Sequence, residues 1–458
     1  LLSRILGMTR DIVFAHYLGA NAITDSFFVA MRIPNLTRRL FAEGAFAQAF
    51  VPVLSEYRST KDHEEVGELV SRVTGTLGGF LFLLTALGVI GAPILVLLFG
   101  YHAEQADLTT TLIRITFPYA LFISLISCAG GILNSYGKFA VPAFTPVLLN
   151  ISLIAVTIWV APHFEYPVIG VAMGVFIAGI VQLLFQLPFL AQIKLLRLPK
   201  WGGQYEGVKR IIRLMAPSVV GSSAAQLNIF ISTVISTYLI SGSVSWLYYS
   251  DRLVEFPLGV FGIAISTVIL PKLSRDHVEK SSQTFSNTID WALRLVVLFG
   301  TPAMIGLMIL SGPMIATIFE HGEFDVNSVK MAANSLIAYA IGLQGFILVK
   351  VLAPGFFARQ DTKTPMKYGL VNVVVNIILS FTLVLFLAHV GLALATSIAA
   401  LTNAALLYIK LRKENVYVPQ NGWLSLTIKA AIANLALVVF LYCTSPALEQ
   451  WGAWQTLD

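Results

Sequence analysis

Charge is scarce in this sequence. Of its 458 residues only 12% are Asp, Glu, Lys or Arg, where soluble domains carry roughly 25%. Cysteine is nearly missing: Cys128 and Cys443 sit far apart inside apolar runs, offer no disulfide framework and read as small buried hydrophobes. No HExxH, GxSxG, Walker A or GxGxxG pattern occurs, so nothing indicates ATP use or a catalytic triad. No cleavable signal peptide is visible either, and a chain opening at Leu1 reads as trimmed, with an incomplete first helix.

What is abundant is apolar surface: 57% of residues are hydrophobic and the mean hydropathy is +0.79. At about 20 residues per spanning helix, that fraction has the capacity of about thirteen spans. A polytopic membrane protein is the only class that fits; a soluble enzyme, a nucleic-acid binder and a single-pass receptor are excluded. Apolar runs between polar or Gly/Pro punctuation place spans near 1–19, 25–57, 70–99, 109–135, 142–162, 168–192, 211–240, 244–271, 285–311, 329–352, 366–388, 391–411 and 424–445. Alternate connections are basic, with Arg58, Lys61 and Arg72, then Lys138, then Lys194, Arg197, Lys200, Lys209, Arg210 and Arg213. Later basic connections carry Lys272, Arg275 and Lys280, then Arg359, Lys363 and Lys367, then Lys410, Arg412 and Lys413, while the intervening ones hold Glu104, Asp107, Glu320, Glu323 and Asp325. The net charge of +6 therefore reflects loop orientation rather than nucleic acid, and it puts the basic side and the N-terminus in the cytoplasm.

A shift of about 220 residues aligns Tyr17 with Tyr238, Arg32 with Arg252, Pro52 with Pro271, Pro93 with Pro313, Tyr119 with Tyr339 and Gly170 with Gly391. An even number of spans per repeat makes the repeats parallel. The expected architecture is all-α: a six-helix lobe over 1–205, a second over 206–415, and at least one further helix in 416–458. Two such lobes commonly enclose a central site and rock about it.

The first two spans break the rule of apolarity. Arg4, Arg10, Asp11, Asp25, Arg32, Arg38, Arg39 and Glu43 all fall there, and eight ionised groups facing lipid would cost on the order of 20 kcal/mol. They must face a wet cavity, one another or the interface. At about 100° per residue, Asp25, Arg32, Arg39 and Glu43 share one stripe; Arg38 lies off it unless Pro34 kinks the helix. The matching helix of the second lobe carries Asp251, Arg252 and Glu255, spaced to line one face. Two readings stand: interlocked salt bridges and snorkelling arginines, or a site for an anionic, phosphorylated substrate. Five arginines against three acids in the first lobe, and the match of guanidinium forks to phosphate oxygens, favour the second.

Other signals are weaker. Asn372 and Asn376, with Thr396, are cation-ligand candidates, although packed interhelical amides are the blander alternative. Gly75 with Gly79, and Gly170 with Gly174, have the spacing of close helix packing. The sequon at Asn35 lies within a span and is discounted. The linker from Lys194 to Arg213 reads either as a basic amphipathic stretch along the inner leaflet or as an ordinary positive linker.

The stretches SRILGMTRD, TDSFFVAMRIPNLTRRLFAEGAFAQAFVPVLSEY, SGSVSWLYYSDRLVEFPLGV and VLAPGFFARQDTKTP closely resemble the MurJ (MviN) lipid II flippases, with similarity running through essentially the whole chain. That family belongs to the multidrug/oligosaccharidyl-lipid/polysaccharide exporter superfamily, whose two six-helix lobes match the repeat. The resemblance implies a lipid II flippase of the bacterial inner membrane and not an enzyme. Lipid II, membrane lipids and other cell-wall synthesis proteins are its implied partners. It also implies fourteen helices, so that part of the first and all of the last would lie outside this chain. The family's required cavity charges fall by motif on Arg4, Arg10, Asp25, Arg38, Arg39, Glu43, Arg252 and Glu255. No cofactor is expected; coupling to membrane potential or to a monovalent cation is. Some relatives are proposed to use a sodium site with acidic ligands, but Asn372 and Asn376 stand where an acid would be expected. The competing functions are export of drugs or polysaccharide-linked lipids, and a glycosyltransferase using an acid in an outward loop.

Overall fold

In a bilayer each peptide N–H and C=O must find its partner within the chain, and this chain meets the demand with helices. The computed structural model describes residues 2–37, 45–101, 103–279 and 281–445, without the side chains of 37, 45, 47, 48, 103, 104 and 216–225. Among the described residues every regular element is helical, and nine helical segments are long and apolar enough to cross a membrane. Two compact units are formed, Leu1–Gly242 and Ser243–Asp458.

The first unit contains α1 (Leu2–Leu18), α2 (Ala22–Thr37), α3 (Ala45–Thr60), α4 (His63–Ile90), α5 (Ala92–Leu97), α6 (Ala103–Thr116), α7 (Tyr119–Ser135), α8 (Ala140–Trp159), α9 (Pro167–Gln192) and α10 (Glu206–Thr237). The apolar run 25–57, read as one span, is thus described as two helices, with Pro34 in the last turn of α2 and Pro52 inside α3. Asp62 starts α4 by accepting the Glu65 N–H at 2.8 Å, a cap that satisfies one orphan donor. A polar belt ties α7, α8 and α9: Tyr119 donates to Gln182 at 3.2 Å, Gln182 to the Thr145 carbonyl at 2.9 Å, and Gln186 to the Thr145 hydroxyl at 3.0 Å. Gly170 and Gly174 admit Ala161 and Val156 against α9, the close packing their spacing predicts. Repeat symmetry puts a boundary near 205, but compactness follows packing: α10 leans on α3, Arg210 pairs with Glu56 at 2.8 Å, and Phe230 meets Phe99 edge-on.

Gly75 and Gly79 serve a different partner from the helix that their spacing suggests. With Gly67 and Ser71 they form a stripe of small residues along α4, and the extended segment 195–202 lies in it. Lys200 donates its N–H to the Ser71 carbonyl at 3.0 Å, Ser71 Oγ donates to the Leu198 carbonyl, and the Gly202 N–H reaches Thr76 Oγ1 at 3.0 Å. A Cβ on Gly75 would overlap the Lys200 backbone, while Gly67 faces the Arg197 side chain and a Cβ on Gly79 would lie 3.1 Å from the Trp201 ring.

The second unit contains α11 (Ser243–Pro257), α12 (Ile263–Val278), α13 (Ser282–Leu295), α14 (Thr301–Ile309), α15 (Ser311–Phe319), α16 (Val326–Phe357), α17 (Lys363–Lys413) and α18 (Trp423–Thr444). One π-helical turn joins α11 to α12 and another joins α13 to α14; their Phe261 and Phe299 rings stack at 5.4 Å. The approach to α18 is held by one buried carboxylate: Asp290 accepts from Tyr417 at 2.8 Å, from the Gln420 N–H at 3.1 Å, from Trp423 Nε1 at 2.6 Å and from Arg294 at 2.6 Å. At the end of α17, Lys410 and Arg359 hold the Glu414 carboxyl below its ordinary range.

The 51 residues of α17 contain two of the expected spans, 366–388 and 391–411, because the backbone leaves the helix at Ala388 (φ 47°, ψ −130°). Only glycine takes up such a conformation without steric cost. Ala388→Gly is therefore expected to stabilise the protein by about 1 kcal/mol. A thermal melt in detergent checks this, and an unchanged or lower midpoint would contradict the strain.

Candidate functional site

Among the described residues of the first unit, the candidate charges lie on α1 and α2. Asp11, 2% exposed, lies mid-way along α1. Arg10 directs both Nε, at 3.0 Å, and Nη2, at 2.7 Å, to Asp11 Oδ1, and its Nη1 donates to Asn150 Oδ1 of α8 at 3.2 Å. Asn150 in turn donates to the Ser3 carbonyl at 3.1 Å, and the guanidinium lies over the Phe14 ring at 5.6 Å. All three guanidinium nitrogens are thus directed, which fixes the fork in one plane. Arg4 is exposed nearer the start of α1, about 9 Å along the axis from Arg10 at 1.5 Å per residue.

Asp25 is buried in the first turn of α2, where the helix dipole favours a carboxylate. Its Oδ2 accepts the Gly242 N–H at 2.8 Å, a glycine at φ 95°. This carboxylate therefore fixes the turn that follows α10. Arg32 follows seven residues later on the same face and is half-buried. Arg38, Arg39 and Glu43 lie outside the described residues.

In the second unit α11 carries the charged trio. Arg252 Nη1 pairs with Glu255 Oε2 at 2.9 Å, Nη2 donates to Tyr248 OH at 3.1 Å, and the guanidinium lies 4.7 Å from the centroid of the Tyr248 ring. Asp251, a neighbour in sequence, points about 100° away from Arg252 on the helix and is exposed. Asp251 and Glu255, four residues apart, share a face of α11, and Arg252 pairs with Glu255 beside it. The Arg252 side chain remains 33% exposed, the Arg10 side chain 14%.

The cation candidates are only partly brought together. Asn376, 1% exposed, donates to Thr396 Oγ1 at 3.4 Å and accepts from Ser380 at 2.9 Å, while Thr396 donates to the Leu392 carbonyl at 3.0 Å. Asn372 is half-buried one turn away. These donors are neutral and engaged with one another, an interhelical packing contact. Among the described residues no group of three His, Cys, Asp or Glu could hold a metal ion.

Two contributors escape a reading by charge. Asn150 and Tyr248 orient the two guanidinium groups, and their signal was a polar side chain inside an apolar run. What the arrangement supplies chemically is planar, pre-oriented cation forks, each held by a carboxylate that an incoming oxyanion could replace. Asp11→Ala is expected to cost up to about 3 kcal/mol, because it strands a part-buried charge. The double variant Arg10→Ala/Asp11→Ala should recover part of that loss, as coupled partners do. Melts of these two variants and of Arg10→Ala check this, and strictly additive losses would show that the two side chains act independently.

Comparison with known proteins gives a consistent picture. Residues 14–457 match the family described as "Lipid II flippase MurJ". The chain is 46% identical to the "Probable lipid II flippase MurJ" of Vibrio cholerae, covering 99% of this chain and 89% of that protein. It is 41% identical to the "Lipid II flippase MurJ" of Burkholderia cenocepacia, covering 96% and 87%. Among solved structures, a lipid II flippase MurJ in an inward closed conformation superposes with a TM-score of 0.84 at 30% identity, covering 97% of this chain and 91% of that one. An inward-facing multidrug resistance MATE transporter shares the fold, with a TM-score of 0.76 at 14% identity over 90% and 95%.

Proposed function

Because the chain belongs to the lipid II flippase MurJ family, a family of multi-pass transporters and not of enzymes, we propose that it moves lipid II from the cytoplasmic to the outer leaflet of the inner membrane by alternating access of its two lobes. Its N-terminus lies on the cytoplasmic side in this reading, which the basic connections of the sequence support. The observation that carries the mechanism is the pre-oriented Arg10 fork on Asp11 and Asn150, echoed by Arg252 on Glu255 and Tyr248.

The pyrophosphate of lipid II exchanges for the carboxylates. Each guanidinium trades one oxyanion partner for another, so the fork is never left desolvated and unpaired, and a phosphate accepts its two N–H bonds with matching geometry. Asp11 and Glu255 reset Arg10 and Arg252 once the headgroup leaves, and Arg4, Asp25, Arg38, Arg39, Glu43 and Asp251 complete the proposed substrate-binding set. The lipid tail stays in the bilayer throughout.

Outward movement of negative charge is downhill in a cell that is negative inside, by about 2.3 kcal/mol per charge per 100 mV. Membrane potential alone therefore provides a driving force. Coupling through a monovalent cation at Asn372, Asn376 and Thr396 is the weaker proposal, since their donor set is neutral and self-satisfied. Other cell-wall synthesis proteins, which make and polymerise the substrate, are the proposed partners.

The experiment depletes a bacterium's own lipid II flippase, expresses this protein, and measures lipid II accessible to an externally added lipid II-cleaving enzyme. Accessibility should return with the unmodified protein, vanish with Arg10→Ala and Arg252→Ala, and fall when the membrane potential is collapsed. No restoration despite confirmed insertion would overturn the function; restoration by both arginine variants would overturn the exchange mechanism.

A further inference from the structure

The segment that lies in the small-residue stripe of α4 turns its backbone inward and its side chains outward. Leu195 is buried in the core that α3, α4, α7 and α9 share. The next residues do the opposite: Leu198 is 85% exposed, Trp201 68%, and the side chain of Lys200 60%. Arg72 donates to the Trp201 carbonyl at 3.1 Å, so together with the bonds to Ser71 and Thr76 the backbone cannot lift away to bury those side chains elsewhere.

Its position along α4 fixes its depth. The exposed surface of α4 is charged through Glu64, Glu65 and Glu68 and becomes apolar at Phe80, Phe82 and Leu83. The Trp201 ring rests against Gly79, at the changeover, and tryptophan at such a boundary sits at headgroup level. The charge beside it is positive in excess. Glu68 is shared by Arg72 at 2.7 Å and Lys200 at 3.2 Å. Glu65 pairs with Lys61 at 3.0 Å. Lys194 and Arg197, both exposed, make no ion pair among the described residues.

We propose that residues 194–201 form a docking surface for anionic phospholipid headgroups of the adjoining leaflet. Lys194 and Arg197, toward the charged end of α4, bind the headgroup phosphate, and the Trp201 indole, at Gly79, lies on the acyl side of them. The inference requires only that the chain spans a membrane, and is independent of the proposal for lipid II.

The test reconstitutes the full chain in nanodiscs of phosphatidylcholine containing phosphatidylglycerol and measures, by native mass spectrometry, the ratio of the two lipids retained. Lys194→Gln/Arg197→Gln should lower the retained phosphatidylglycerol ratio about tenfold. Lys363→Gln/Lys367→Gln, on another basic connection, should leave it unchanged. Loss of preference in both pairs equally, or in neither, would overturn the proposal. A second measurement needs no charge variant: phosphatidylglycerol with brominated chains should quench the unmodified protein more than brominated phosphatidylcholine does, and the difference should disappear in Trp201→Phe. Equal quenching by the two lipids, or a difference that survives in Trp201→Phe, would overturn it as well.

Discussion

A carboxylate with 2% exposure in the middle of a helix is tolerable only while a cation lies against it, and the Asp11 and Arg10 pair sets terms that the packing of α1 obeys. Removing two ions from water costs several kcal/mol each, and the pair repays this only with good geometry and further hydrogen bonds. Hence α1 is drawn against α8, where Asn150 takes the remaining guanidinium nitrogen and spans to the backbone of Ser3. Apolar residues of the same size would make a tighter bundle. Retention of charge at that cost fits a protein whose cargo is itself charged.

The second unit answers the same requirement more loosely. Arg252 and Glu255 are three residues apart on one helix, a third or more exposed, and their third partner is an aromatic hydroxyl and ring rather than an amide from a neighbouring helix. Arg252 and Glu255 share one helix, whereas separating Arg10 from Asn150 disturbs the contact of α1 with α8. The two units are similar in sequence landmarks and unlike in how firmly each holds its cation.

Much of the architecture was legible because lipid enforces it. Apolar runs gave the helices, and even the break at Ala388 falls at the end of the run 366–388. Of the run 25–57, residues 25–37 and 45–57 are helical as hydropathy expects, with Pro34 and Pro52 inside the helices. Charges out of place pointed to Arg10, Asp11, Arg252 and Glu255. Asn150 and Tyr248 stayed hidden because an amide or phenol in an apolar run usually means packing, and only the fold shows which cation it faces. Asp25 illustrates another limit: its charge was visible, but its partner is the Gly242 amide, 217 residues away and invisible to any pattern of side chains. The glycines of α4 announced a close approach without saying that an extended segment would make it.

That segment attaches through peptide groups: the Leu198 carbonyl, the Lys200 N–H, the Trp201 carbonyl and the Gly202 N–H. The specificity of the attachment is written in α4, in Gly67, Ser71, Gly75 and Thr76, and hardly at all in the segment it receives. Sequence change at the exposed Leu196 and Leu198 is thereby uncoupled from folding. Evolution can alter the outward face of this connection, its charge, its bulk and its affinity for one bilayer or another, while the scaffold beneath it stays fixed.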